Sequence, residues 1–165
     1  MGMRRLMTLL VIILMSCVWT ACGSLDGGSD DGYVDWQGMN AEYHAAVASF
    51  PYPLPEGIDF PADAPFDPAK ADDLEFGVGF GEMLTYQFAK CACQSVVVAN
   101  QYGDIDAAMR ALDSVEEIYN DPVYRQYVIE GDPSWQSVID SVRLGDFSDF
   151  NEHYQNSCAG WAGLK

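Results

Sequence analysis

Positive charge is what this 165-residue chain has least of: eight Lys and Arg stand against 25 Asp and Glu, a formal net charge of −17. Such a surface repels phosphate backbones and anionic headgroups, which argues against nucleic acid as a partner and against membrane attachment through basic patches. Histidine is scarcer still. His44 and His153 are the only two, and neither a C-x-x-C nor an H-x-x-x-H spacing occurs, so no metal site and no cofactor are expected. The run "DGGSDD" lacks the alternating acids and closing Glu of a calcium loop. No nucleophile, base and acid are marked out together, so no catalytic residue is named. Repeats of fixed period are lacking too. So is sustained period-two alternation, which leaves an all-α fold.

What the chain does have begins at its N-terminus. Arg4 and Arg5 precede an apolar run from Leu6 to Trp19, shorter than the roughly 20 residues of a transmembrane span and laid out like a secretory signal, with an uncleaved anchor as the lesser alternative. The tetrad Trp19-Thr20-Ala21-Cys22 resembles the bacterial lipobox, in which a small residue precedes a cysteine that receives diacylglycerol. Thr20, Ala21 and Cys22 fit; Trp19 stands where that motif usually carries Leu, Val or Ile. Cleavage after Gly23 and release from the cell is the alternative, since Ala21 and Gly23 form a small-x-small site. Residues 23–32 hold four Gly, two Ser and three Asp, a composition that buries too little to order itself and reaches roughly 15 to 20 Å. The expected organisation is a lipoprotein signal over residues 1–21, a tether from the lipidated Cys22 to residue 32, and a single domain over 33–165. Its partner would be the membrane, through the N-terminal lipid, on the outer face. Loss of Arg4 and Arg5 leaves six basic residues against 25 acidic ones, a net charge of −19.

Within the domain, Trp36, Met39, Tyr43, Ala46 and Phe50 recur at helical spacing over residues 34–50. Residues 50–68 hold six of the eight prolines, with Phe50, Tyr52, Phe60 and Phe66 among them. They are expected to form an extended strap whose aromatics pack over the helices rather than a freely offered polyproline ligand. Asp67 and Pro68 read as the N-cap and first residue of a short helix. "GVGFG", residues 77–81, has no following Lys-Ser/Thr and reads as a helix-to-helix turn, not a phosphate loop.

From residue 82 to 102, Leu84, Phe88, Cys91, Ser95, Val98 and Tyr102 form one stripe, while Met83, Gln87, Lys90, Gln94 and Gln101 follow a neighbouring polar line. Asp104 caps a helix with Ile105, Ala108, Met109, Leu112, Val115 and Tyr119 inward. Asp121-Pro122 and Asp132-Pro133 start two more, which Gly131 and Gly145 stop. A last helix, about residues 146–158, sets Phe147, Phe150, Tyr154 and Cys158 on one side. The sum is an irregular bundle of five to seven helices.

Three cysteines remain beyond Cys22. Cys91 and Cys93 point about 200° apart on their helix and cannot bridge each other. Cys91 and Cys158 both close apolar stripes, so a Cys91 to Cys158 disulfide is expected, worth about 4 kcal/mol in the chain-entropy account. Cys93, on the face of Tyr86, Ala89, Val97 and Asn100, is the odd thiol and reads as a small buried hydrophobe.

"PYPLPEGIDFP", "YQFAKCACQ", "YGDIDAAMRAL" and "NSCAG" together give a chain that resembles small secreted lipoproteins of actinobacteria, over most of residues 51–160. The resemblance implies a helical extracytoplasmic domain and brings no activity with it. Those relatives usually read "CAW" where this chain reads "CAC", which implies an aromatic packing position for Cys93.

The function expected is that of a lipid-anchored, non-catalytic interaction or envelope domain. A carboxylate-dependent envelope hydrolase is the alternative, with Asp72 and Glu75 or Glu116 and Glu117 as candidate pairs.

Overall fold

The computed structural model describes residues 32–66, 74–127 and 134–161. The signal, Cys22, the tether and the expected helix starts at Asp67-Pro68 and Asp132-Pro133 lie outside the described residues. Among the described ones are six helices: α1 (Trp36–Ser49), α2 (Phe80–Asn100), α3 (Ile105–Asn120), α4 (Pro122–Arg125), α5 (Ser134–Arg143) and α6 (Ser148–Ser157). The domain is all-α.

Local chemistry places the boundaries. Asp35 accepts a hydrogen bond from the Gly38 amide at 2.8 Å, and Asp104 accepts one from Ala107 at 3.0 Å, each satisfying a donor that a helix start leaves open. Asp121 does the same for Val123 at 2.7 Å, with Pro122 in the first helical position. α1 stops because Pro51 pushes Phe50 out of helical geometry, to φ −61° and ψ 124°. Gly145, at φ +92°, ends α5.

α2 is the central element. α1 packs on one side of it and α3 on another, and α6 is tied to it by a covalent bond. The approach of α1 depends on Gly81: a Cβ there would sit 2.2 Å from the Met39 carbonyl oxygen and 2.6 Å from the Tyr43 nitrogen. Two-residue strands also form, β1 (Tyr33–Val34) and β2 (Phe76–Gly77), antiparallel with Tyr33 opposite Gly77. "GVGFG" is therefore a strand-to-helix turn, and the expected helix-to-helix turn is corrected. Gly79 takes φ +88° as the N-cap of α2, a left-handed conformation that glycine adopts freely.

The apolar side chains form a main core between α2, α3, α4, α5 and α6, with Leu112, Ile118, Ile139 and Phe150 fully buried. A second core forms around Met39, Tyr43 and Phe76. The strap spans both. Phe50, Tyr52, Leu54 and Phe60 pack on the main core and Phe66 on the second. Its polar anchors are equally specific: Tyr52 donates to Asp121 at 2.7 Å, Tyr43 donates to the Pro61 carbonyl at 3.0 Å, and Asn40 binds both Asp63 and the Ala64 amide.

Three readings of the helix faces differ from the periodic pattern: Tyr102, expected on the apolar stripe, lies beyond the end of α2 and is 90% exposed. Ile105 is 45% exposed, because it occupies the first turn of α3 and projects past the core. The larger correction concerns the polar line of α2, where Lys90 and Gln94 are buried. Helices surround α2 on so many sides that its polar face has neighbours as well.

Candidate functional site

The N-terminus of α2 would bind an anion if it were open, because its free amides and dipole favour negative charge. It is closed by the protein itself. Glu42, from α1, accepts from the Gly79 amide at 3.0 Å and the Gly81 amide at 3.2 Å. This carboxylate stands where the phosphate of a phosphate loop would be.

Nearly three turns further along α2, Lys90 is only 6% exposed. Its ammonium donates to the Tyr124 hydroxyl at 2.7 Å, and that hydroxyl donates to Gln87 Oε1 at 2.7 Å. The rings of Tyr124 and Trp135 lie 5.2 and 5.7 Å from Nζ, a cation–π cage. No carboxylate among the described residues pairs with Lys90. Burial accordingly pulls its pKa down to about 8. Burial, with a smaller contribution from Tyr119, raises the Tyr124 pKa, so the phenol stays protonated and offers no base.

Cys91 on α2 and Cys158 at the end of α6 are joined, with sulfurs 2.01 Å and Cα atoms 5.2 Å apart. Cys93 is free and buried in the main core against Tyr86, Ala89 and Val97. Burial pushes its thiol up to about 12, so it carries almost no thiolate at neutral pH. His44 lies 3.4 Å from Asp63, an exposed pair at the strap. His153 lies against the Trp135 ring, far in role from any thiolate. Of the candidate carboxylates, Glu116 binds Arg143 at 2.7 Å, while Glu117 and Glu75 are exposed. Asp72 lies outside the described residues. Arg143 also reaches Asp113 at 2.8 Å, so this acidic face ties α5 to α3. No group of three metal-ligating side chains occurs among the described residues.

A cleft of about 590 Å³ opens beside the disulfide. Ala64, Pro65 and Phe66 of the strap form one wall; Asn156 and Ser157, from the last turn of α6, with Gly160 and Trp161 form the other. Each ring in it is held from behind. Trp161 lies 6.1 Å from Phe88, and its indole nitrogen donates to the Ser157 carbonyl at 3.1 Å. Phe66 packs edge-on against Phe76 at 5.4 Å. The bridge from Cys158 to α2 fixes the segment that carries Asn156 to Trp161. No local pattern in the sequence marks this cleft, because its walls come from segments about 90 residues apart. A lone Trp three residues beyond a bridged cysteine was the available signal.

No known protein family matches the chain, no curated protein is detectably similar to it, and no solved structure resembles it.

Proposed function

We propose that the protein is a lipid-anchored extracytoplasmic binding domain, held at the outer face of the membrane by diacylglycerol on Cys22 and acting without chemistry of its own. The observation that carries this reading is the Cys91 to Cys158 bridge, since a structural disulfide persists in oxidising compartments outside the cytoplasm. The sequence before the domain supports the anchor: a positively charged start, a short apolar run, a cysteine and a Gly/Ser/Asp spacer. No helix among the described residues is long and apolar enough to cross a membrane.

The side chains that catalysis would recruit have other work. Cys93 is sealed in the core, Glu116 is paired with Arg143, and Lys90 is enclosed by aromatic rings. The cleft at Trp161 has the size of a ligand site and rigid walls, as a binding domain requires.

Cell fractionation tests the anchor. The natural protein is expected in the membrane fraction, and Cys22→Ala is expected to leave it there only as the unprocessed, longer precursor or to move it to the medium. A Cys22→Ala protein of mature length still bound to membranes would contradict the proposal.

A further inference from the structure

We infer that the cleft between the strap and the end of α6 is a binding site for a neutral oligosaccharide. The inference rests on the reading of the domain as an extracytoplasmic binding module and names what that module takes.

The cleft walls carry no charged side chain in a chain whose formal net charge is −17. The surrounding field repels anionic ligands, and nothing in the walls holds a cation, so the fitting ligand is uncharged. Its surface must be of two kinds. Trp161 and Phe66 offer flat apolar area, while the Asn156 amide supplies two donors and an acceptor and the Ser157 hydroxyl one donor and two acceptor positions. Neither of these two side chains makes a hydrogen bond to another described residue. A pyranose ring matches that division: its axial C–H face stacks on an indole, and its equatorial hydroxyls project outward to amides and hydroxyls. An apolar ligand would leave Asn156 and Ser157 desolvated and unpaired, which is costly.

The rings are also set in advance. The indole of Trp161 is fixed by its bond to the Ser157 carbonyl and by Phe88 behind it, and Phe66 by Phe76. A stacking surface that is already rigid loses little side-chain entropy on binding. The bridge at Cys158 holds the backbone carrying Ser157 and Trp161 against α2. The cleft volume of about 590 Å³ suits two to three sugar rings.

The test uses the mature protein purified in a detergent without a sugar headgroup, titrated with neutral tetrasaccharides of glucose, mannose, galactose and N-acetylglucosamine. The indole N–H signal of Trp161 and saturation transfer to the sugar are followed by nuclear magnetic resonance. At least one tetrasaccharide is expected to shift the indole signal with a Kd of about 1 mM or below. Trp161→Ala is expected to abolish the transfer, Trp161→Phe to retain part of it, and Asn156→Ala to weaken it about tenfold. The Phe variant keeps a ring against Phe88, which separates lost stacking from lost folding. The inference is overturned if no tetrasaccharide moves the indole signal at about 10 mM. It is equally overturned if transfer survives Trp161→Ala, or if it appears only in a chain cut after Trp161, which would make the chain's own tail the occupant. Lipid attachment at Cys22 is read separately by mass, so failure here is distinguishable from failure of the anchor.

Discussion

Lys90 is the residue whose environment differs most from what its chemistry prefers. An ammonium taken out of water keeps one hydrogen bond and two ring faces, and no described carboxylate compensates it. Its folded pKa of about 8 lies below the value of 10.5 it has when exposed. Between those values the unfolded chain binds the proton that the folded chain has released, so stability rises with pH. Cys93, Tyr43 and Tyr52, all pushed up to about 12, oppose this in the natural protein, the thiol from about pH 8 and the phenols from about pH 9. Lys90's own contribution, read as the stability difference between the natural protein and Lys90→Met, is therefore expected to rise by about 2 kcal/mol from pH 8 to pH 10 in urea titrations. Lys90→Met, which keeps the length and drops the charge, is expected to be more stable at pH 7 and to lose that rise. A Lys90→Met protein with an unchanged pH profile would show that Lys90 does not titrate in this window. Pattern reading treats a lysine on a helix as surface, and only the crowding of α2 by its neighbours overrides that rule. The Cys91 to Cys158 pairing, by contrast, was legible, because the angular separation of positions on a helix decides which thiols face the core.

At the scale of elements, caps and stops were the most readable features. Asp35 in front of α1 was not foreseen, while Asp104, Asp121 and Gly145 mark their boundaries by local hydrogen bonding and backbone geometry that depend on a few neighbouring residues. β1 and β2 were not readable, since two residues show no alternation and their pairing joins distant segments. The cleft escaped for the same reason. What brings its walls together is the docking of the strap on α1 and of α6 on α2, two events that no local pattern encodes. The α1 to α2 contact has its own test. Gly81→Ala would drive a methyl group against the Met39 carbonyl, with no flexible side chain to give way, and the two helices must separate. A loss of about 2 to 3 kcal/mol is expected by urea unfolding, in the range for overpacked cores. A change below about 0.5 kcal/mol would mean that the helices do not cross where this geometry puts them.

For the whole molecule, the charge, the bridge and the proposed tether describe one setting. An acidic surface keeps the domain soluble and apart from anionic headgroups, the disulfide ties its last helix to its central one, and the proposed lipid keeps it within a short reach of the bilayer. The fold class was legible from periodicity, because the six helices among the described residues present their own stripes or caps. The role was not, because a binding cleft depends on shape. The most direct test of the central claim is the intact mass of the natively expressed protein extracted from membranes, with its thiols labelled under denaturing conditions before and after reduction. The account predicts a chain beginning at Cys22 and carrying diacylglycerol, with one label before reduction, on Cys93, and three after it. A lipid-free chain beginning at Ser24 and recovered from the medium, or three labelled domain cysteines without reduction, would contradict it.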